Sequence, residues 1–281
     1  MSRRGLTCLR RGVTVAWGGA AYAFLLAPLV VVAGASLNGG PFLAYVNFPP
    51  DRVSLDWYFR IPPQHFRAIA TSLGLATVVA IVACLLGVPA ALGLVRARVP
   101  GRALIAALLR APLQIPFVVI GVAFLQFYYV VGDALGLYLQ ATSPGLAIAH
   151  VFAATPYVIG SVAAVLSRFD VRLEEAALSL GASPWSTFRR VTLPVIMPGV
   201  YVGGLYAFML SFTDVPIVLF LAGADFTTFP VEVFHSFQFD FDPTILASST
   251  LVMVFSLGVL LLIQKLVGLN ALLRSGGASG R

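Results

Sequence analysis

The chain has 281 residues, of which 59% are hydrophobic and only 10% are charged, and its formal net charge is +7. An ordinary soluble domain carries about 25% charged residues, so this composition excludes a soluble globular protein. Charged residues are missing from several long windows, and runs of roughly 20 apolar residues can cross a bilayer core. The sequence therefore predicts an all-α, polytopic integral membrane protein.

Six apolar runs are predicted to be transmembrane helices. They are continuously apolar, whereas barrel strands would alternate, and a helix pairs every backbone polar group within hydrocarbon. In chain order the predicted spans are 13–37, 68–95, 108–132, 145–166, 196–222 and 246–270. The first run exceeds the roughly 7–15 apolar residues of a signal peptide, which predicts an uncleaved span.

Lys and Arg are distributed unequally between the two sides that six spans create. All but three of the 18 basic residues fall near the termini, in the loops between spans 2 and 3 and spans 4 and 5, or at the span ends on that same side. The exceptions are Arg52, Arg60 and Arg67, on the side that holds most of the 11 acids. The positive-inside rule therefore predicts that both termini are cytoplasmic. The basic surplus then reflects orientation, and no nucleic-acid partner is expected.

The predicted external loop between spans 1 and 2 is rich in proline and aromatic residues, among them Trp57 and Tyr58. Aromatic side chains are enriched both at membrane interfaces and at protein contacts. Two interpretations stay open at this point: an interfacial cap, or a contact surface for an external partner.

The predicted cytoplasmic loop 168–194 has the local chemistry of a helix, a hinge and a second helix. Asp170 is placed to cap the first helix, and Glu174 and Glu175 follow in its early turns, where negative charge is favourable. Gly181 is placed to end that helix in a left-handed conformation.

A second helix is predicted to start at Ser183 and Pro184, the residue types preferred at a helix cap and at the first helical position. Trp185 and Phe188 are expected to share a face of it. Two prolines are expected to mark the re-entry into span 5: Pro194 and Pro198.

The first of these helices carries an apolar stripe at positions i, i+3, i+4 and i+7, formed by Leu173, Ala176, Ala177 and Leu180. One interpretation is a helix that lies on the membrane surface. The other is a helix that docks on another protein. The acidic first turn and the two alanines favour docking, because alanine is a weak lipid anchor but allows close packing.

The same loop resembles the EAA loop of permease subunits of ATP-binding-cassette importers. The family pattern is E-A-A, three residues, G, nine residues and I-x-L-P. This chain has E-A-A at 175–177, glycine at 181 and V-T-L-P at 191–194, with valine where isoleucine is usual. The resemblance implies docking on a separate ATPase through Glu175, Ala176, Ala177, Gly181, Ala182, Val191, Leu193 and Pro194.

The resemblance extends over most of the chain. Spans 2 to 6 are similar to the five-helix core of type I importer permeases, with span 1 added in front. The strings NFPPDRVSLDWY and SFTDVPIVLFLAG resemble segments of the spermidine/putrescine-type branch. The implied organisation is an N-terminal helix and external loop at 1–67, a permease core at 68–270 that contains the coupling loop 168–194, and a cytoplasmic tail at 271–281.

The resemblance also implies partners and a location. The sequence contains no G-x-x-x-x-G-K-[ST] nucleotide loop, so ATP and magnesium would be used by an ATPase dimer, and no cofactor is expected on this chain. The other expected partners are a second permease of a different homologous sequence, an external solute-binding protein and the lipid of a bacterial-type inner membrane. The implied cargo is polyamine-like, with iron(III), thiamine and phosphonates as alternatives within the branch.

Asp214 is the one acid inside a predicted span, where a charge costs at least about 2.5 kcal/mol. It is a candidate for the translocation path, together with Thr213, Gln126 and Tyr157. The alternative for Asp214 is a structural hydrogen bond or a contact between permease subunits, and for the others it is helix packing.

Two other classes of function are alternatives to a permease: a membrane-embedded enzyme and an ion-gradient-driven carrier. A membrane-embedded enzyme would need paired acids, a metal set or a nucleophile and base at membrane depth. In the sequence Asp214 stands alone, and His150 has no acid or second histidine one helical turn away. An ion-gradient-driven carrier often shows inverted repeats, and none is visible.

Overall fold

The computed structural model describes residues 3–39, 48–96, 100–223, 226–239, 241–258 and 261. In chain order its helices are α1 (Arg3–Ala35), α2 (Asp56–Phe59), α3 (Pro63–Arg96), α4 (Arg102–Arg110), α5 (Phe117–Leu135), α6 (Ser143–Leu166), α7 (Arg172–Ser179), α8 (Pro184–Thr187), α9 (Leu193–Thr213), α10 (Pro216–Leu221), α11 (Phe229–Gln238) and α12 (Thr244–Gly258). No strand is present in these ranges, which confirms the all-α class. The chain forms two compact units, residues 66–234 and residues 1–65 with 235–281.

Five helical stretches are long and apolar enough to cross a membrane: Val13–Ala35, Pro63–Arg96, Phe117–Leu135, Ser143–Leu166 and Pro184–Thr213. They correspond to the first five predicted spans, but the bounds of the third and the fifth differ from the predicted ones. The sixth predicted span, 246–270, begins in the shorter apolar helix α12 and continues mostly outside the described residues. The six-span count and the side of the termini therefore stay predictions.

The predicted third span was wrong at its start. Residues 108–110 belong to the separate helix α4, which is followed by a 3-10 turn, Ala111–Gln114, before α5 begins at Phe117. Ile115 is extended, with φ −93° and ψ 127°. A proline at 116 disfavours a helical conformation in the residue before it and lacks the N–H that a continuing helix would use, which accounts for the break.

The predicted fifth span was wrong at both ends. Asp214 is extended, with φ −70° and ψ 134°, so α9 stops at Thr213 and the short helix α10 starts at Pro216. Proline cannot continue a helix but fits its first turn, so the chain breaks completely between Thr213 and Pro216. At the other end the helix starts at Pro184, twelve residues earlier than predicted.

Pro156 does not break its helix, although a proline interrupts the backbone hydrogen bonding of a helix. It lies buried inside α6, which continues to Leu166. A proline is tolerated within a membrane helix where neighbouring helices and hydroxyl side chains satisfy the backbone groups that it frees. The hydroxyl of the preceding Thr155 donates to the carbonyl of Val151 at 2.6 Å.

In the 66–234 unit α6 lies between two clusters of buried side chains. One cluster joins it to α3 and α9 and includes Val79, Val158 and Ala207. The other joins it to α5 and α10 and includes Ile120 and Ile217. Ala76, Ala83 and Ala91 are fully buried, so small residues of α3 pack within the bundle.

In the other unit the external loop folds back on the end of α1. The indole N–H of Trp57 donates to the carbonyl of Asn38, and the hydroxyls of Ser36 and Tyr58 share a hydrogen bond of 2.7 Å. Gly39 adds a backbone bond to the Arg52 carbonyl at 2.6 Å. These contacts favour the cap interpretation, because the polar atoms of both aromatic residues are engaged within the loop.

Candidate functional site

The first helix of the 168–194 segment begins one residue later than predicted, since Val171 and not Asp170 stands at the N-cap position of α7. The carboxylate of Asp170 accepts the backbone N–H of Arg172 at 3.0 Å, two residues along the chain. Glu174 and Glu175 then occupy the first turn of α7. Three acids therefore lie at the positive end of the helix dipole, where negative charge is stabilising.

Gly181 ends this helix in the left-handed conformation, with φ +86°, as predicted. Its N–H donates to the Leu178 carbonyl at 2.9 Å, and the N–H of Ala182 donates to the Ala177 carbonyl at 3.1 Å. The last carbonyls of α7 are thereby satisfied. The spacing between Ala177 and Gly181 is thus that of a closed helix end, to which Ala182 contributes its backbone N–H.

The second helix begins as predicted and then departs from the prediction. Ser183 is extended, and its hydroxyl accepts the N–H of Ser186 at 3.3 Å. The rings of Trp185 and Phe188 stack with centroids 5.6 Å apart. However, this helix does not end before the membrane span, because it continues into α9.

The continuation passes through one wide turn, Phe188–Thr192, in which the N–H of Leu193 reaches back to the carbonyl of Phe188. Such i→i+5 turns often accommodate a residue that cannot join the regular ladder. Pro194 follows at once and has no N–H to offer. The V-T-L-P end of the motif therefore places Val191, Leu193 and Pro194, all half-buried, in the joint between the segment and the span.

The outer face of α7 is apolar and uncovered. Leu180 is 89% exposed and Leu173 is 52% exposed, and Ala176 and Glu175 are also exposed. Ala177 is the one half-buried member of the predicted stripe. This helix therefore presents an apolar surface with a carboxylate beside it, which is suited to contact with another protein.

The inner face of α7 carries a contact that the sequence did not reveal. The carboxylate of Glu174 accepts a hydrogen bond from the Arg96 guanidinium at 2.7 Å and another from the hydroxyl of buried Thr192. Arg96 also lies over the ring of Phe169, 5.5 Å from its centroid. The sequence places acids and arginines in the two predicted cytoplasmic loops, but it does not indicate which of several arginines pairs with Glu174.

Asp214 is not isolated, as the sequence suggested, but paired with His150. One carboxylate oxygen lies 3.3 Å from the Nε2 of His150 and accepts the N–H groups of Ile217 and Val218 at 2.9 and 3.2 Å. The Nδ1 of His150 lies 2.9 Å from the hydroxyl of Ser211. One neutral tautomer satisfies both contacts, since Nε2–H donates to Asp214 and Nδ1 accepts from Ser211.

The order serine, histidine, aspartate resembles a hydrolytic triad in name, but its location does not suit catalysis. His150 and Ser211 are no more than 1% exposed and Asp214 is 4% exposed. A nucleophile must reach its substrate, and this hydroxyl is sealed within the helix bundle. These contacts favour the structural alternative for Asp214: it closes the first turn of α10 and joins that turn to α6.

The four candidates for the translocation path do not meet. Gln126 and Thr213 are exposed, and the Thr213 hydroxyl donates to the Met209 carbonyl of its own helix at 2.8 Å. Tyr157 is half-buried and stacks on Tyr206 with centroids 6.0 Å apart. No hydrogen bond or ring contact joins any two of the four candidates, and their role in a path stays a prediction.

The sequence matches a known family over most of the predicted core. The family described as "Binding-protein-dependent transport system inner membrane component" matches residues 83–269. The chain is 33% identical over 236 residues to the putrescine transport system permease protein PotI of Escherichia coli (strain K12), covering 83% of this chain and 82% of that one. It is 30% identical over 252 residues to the spermidine/putrescine transport system permease protein PotC of Haemophilus influenzae, covering 89% and 94% of the two chains.

The fold also matches a solved structure. A bacterial ABC transporter involved in the import of the acidic polysaccharide alginate contains a chain that aligns with a TM-score of 0.74. The alignment covers 94% of this chain and 98% of that one, at 17% sequence identity. At 17% identity this likeness shows a shared fold and no more.

Proposed function

Because the chain belongs to the family of binding-protein-dependent transport system inner membrane components, we propose that its cargo is a polyamine-type cation and that a separate ATPase docks on its 168–194 segment. As a member of this family it is a permease subunit of an ATP-binding-cassette importer, a transport protein rather than an enzyme. The inner membrane location follows from the same family.

The observation that carries the docking proposal is the uncovered outer face of α7. Its apolar stripe is exposed on a helix whose two ends are closed by the Asp170 and Gly181 contacts. A preformed helix loses little conformational entropy on binding, so it suits a contact that is made repeatedly in a cycle. Glu175 lies exposed beside the stripe and can select a basic partner surface.

The wide turn after α8 supports the transmission of movement into the membrane. Residues 184–213 form one helix, so a displacement of the Trp185 and Phe188 end is carried directly to α9. In the proposed cycle ATP closes an ATPase dimer, the docked segments move with it, and the permease pair opens outward to receive cargo. Hydrolysis then resets the inward state. ATP and magnesium act in the ATPase, and this chain holds no cofactor.

Membership of the family supports proposals for the remaining partners. We propose an external solute-binding protein that determines most of the specificity, and a second permease of different sequence that completes the path. The setting is the cytoplasmic membrane of a bacterium. The polyamine cargo rests on the names of PotI and PotC. Iron(III), thiamine and phosphonates are the competing cargoes.

The docking proposal is tested in proteoliposomes that contain both permeases, the ATPase and the binding protein. Glu175→Ala removes the exposed carboxylate, and Gly181→Val forces a branched side chain into a left-handed position, which costs about 1–2 kcal/mol. We expect ATP-dependent putrescine uptake to fall about tenfold in each, within the range of 0.5–2 kcal/mol for coupling changes. Ser179→Ala, on the exposed surface of the same helix, is the matched control.

Full uptake and unchanged ATPase association in both variants would refute the docking surface. If thiamine, an iron(III) chelate or a phosphonate binds to the transport system and is taken up while putrescine is not, the proposed polyamine cargo is wrong. Uptake that persists without ATP and disappears when ion gradients are dissipated would favour the carrier alternative.

A further inference from the structure

The inner face of α7 is joined to two membrane helices by a single carboxylate. Glu174 accepts hydrogen bonds from Arg96, the last residue of α3, and from Thr192, the last residue before α9. The Glu174 side chain is only 14% exposed. One side chain on the predicted docking helix therefore contacts the end of α3 and the residue that precedes α9.

The surroundings make this contact more than a surface ion pair. Exposed pairs contribute little, because solvent screens them and both side chains lose freedom. Here the Thr192 hydroxyl is buried, and the ring of Phe169 lies against the guanidinium of Arg96 on the side of the α6–α7 loop. A planar guanidinium held by a carboxylate and an aromatic ring has one preferred orientation.

The geometry also separates two neighbouring glutamates. Glu175 points to the exposed side of α7, and Glu174 points inward to Arg96 and Thr192. Adjacent residues of a helix do not face the same way, so the two side chains cannot share one role.

We propose that Glu174 and Arg96 are positioning residues for energy coupling: their ion pair fixes α7 to the end of α3, so that a movement of the docked helix displaces α3 together with α9. The proposal rests on the proposed docking of an ATPase on the outer face of α7. It assigns to Glu174 the transmission of movement, and it leaves the docking itself to Glu175 and the apolar stripe.

The test uses the complete transporter in proteoliposomes, with putrescine uptake and ATP hydrolysis measured together. We expect Glu174→Gln and Arg96→Gln each to lower the putrescine moved per ATP about tenfold, as expected when a link between two sites is lost. ATPase co-purification should be unchanged. Arg102→Gln, an exposed arginine at the start of α4, removes the same charge away from the pair and should leave the ratio unchanged.

A charge exchange separates a specific pair from a general structural effect. The double variant Arg96→Glu/Glu174→Arg should recover most of the ratio that Arg96→Glu and Glu174→Arg lose singly. The proposal is overturned if the double variant moves no more putrescine per ATP than the single variants do. It is also overturned if Glu174→Gln moves as much putrescine per ATP as the wild type. If wild-type transport itself proves independent of the ATPase, the docking proposal fails first, and this is seen before any variant is made.

A distance measurement covers the case in which the single variants do not assemble. Spin labels at Gly93→Cys and Ser179→Cys, with Cys8 and Cys84 replaced by serine, report the separation between α3 and α7. A Cβ at Gly93 meets no atom within 4 Å, and Ser179 is exposed, so both positions should accept a label. We expect the same distance in the nucleotide-free and ATP-bound transporter. A change of several ångströms between the two states would show that the helices move apart and would refute the link.

Discussion

Asp214 and His150 show how a membrane interior accepts ionisable groups. Each is costly alone, but one carboxylate oxygen receives three donors and the imidazole satisfies both of its nitrogens. The other carboxylate oxygen is buried and has no hydrogen-bond partner among the described residues. The partners come from α6, from the end of α9 and from the first turn of α10. The pair therefore stabilises the break between α9 and α10, where a continuous span was predicted.

We predict that His150→Leu is strongly destabilising and that Asp214→Asn is mild. Leucine leaves the buried carboxylate without its imidazole donor, which costs about 3 kcal/mol. The Ile217 and Val218 N–H groups and the His150 Nε2 all reach one carboxylate oxygen, so an asparagine oxygen in that place can still accept from all three and the change should stay within about 1 kcal/mol. The measurement is the thermal unfolding midpoint of the purified complex in detergent.

The control is Thr77→Val, which removes an exposed hydroxyl that donates within its own helix, to the Leu73 carbonyl. Putrescine uptake should also survive in Asp214→Asn. Loss of uptake in a stable Asp214→Asn protein would instead return Asp214 to the translocation path.

At the scale of helices, α6 and α9 approach closely because glycines remove side chains from their contact. A Cβ at Gly203 would lie 2.7 Å from the Cα of Val158, and one at Gly199 would lie 2.9 Å from the Ser161 carbonyl oxygen. Small residues permit this approach in membranes, where no hydrophobic effect drives helices together. The order of the bundle thus depends on two positions one turn apart on α9.

Gly203→Val should lower the thermal midpoint of the complex, because the added carbons overlap the backbone of α6. Overpacking of this kind costs about 1–3 kcal/mol. Gly160→Val, on α6, is the matched control, since a Cβ there meets nothing within 4 Å. Equal midpoints for the two variants would contradict the close approach of α6 and α9.

At the scale of the whole molecule, the orientation in the membrane rests on the distribution of charge. The basic residues at the termini and in two loops predict six spans with both ends in the cytoplasm. The described part of the chain contains five long spans and the shorter apolar helix α12. An odd number of spans would place the C-terminus outside.

We predict that green fluorescent protein fused after Arg281 will fluoresce and that alkaline phosphatase fused there will be inactive. Green fluorescent protein matures in the cytoplasm, whereas the phosphatase needs the oxidising exterior. A phosphatase fusion within the external loop, at Asp56, is the matched positive control. An active phosphatase after Arg281 would show that α12 does not begin a sixth span.

Local chemistry determined most of what could be predicted. Continuous apolar runs identify helices that span a membrane, whatever their neighbours are. The cap at Ser183 and the left-handed end at Gly181 each depend on a few adjacent residues, and both were predicted correctly. The family, and with it the function as an importer permease, was also predicted from the resemblance of residues 175–194 to the EAA loop.

The tertiary structure decided what depends on residues far apart in the chain. Glu174 meets Arg96 across 78 positions, and His150 meets Asp214 across 64. In the sequence each residue has several possible partners, and helix packing selects one. The continuation of α8 into α9 and the break after Thr213 also differ from the prediction, and each lies beside a proline, Pro194 and Pro216. A membrane helix can tolerate or break at a proline, and the outcome depends on which neighbouring groups satisfy the freed backbone.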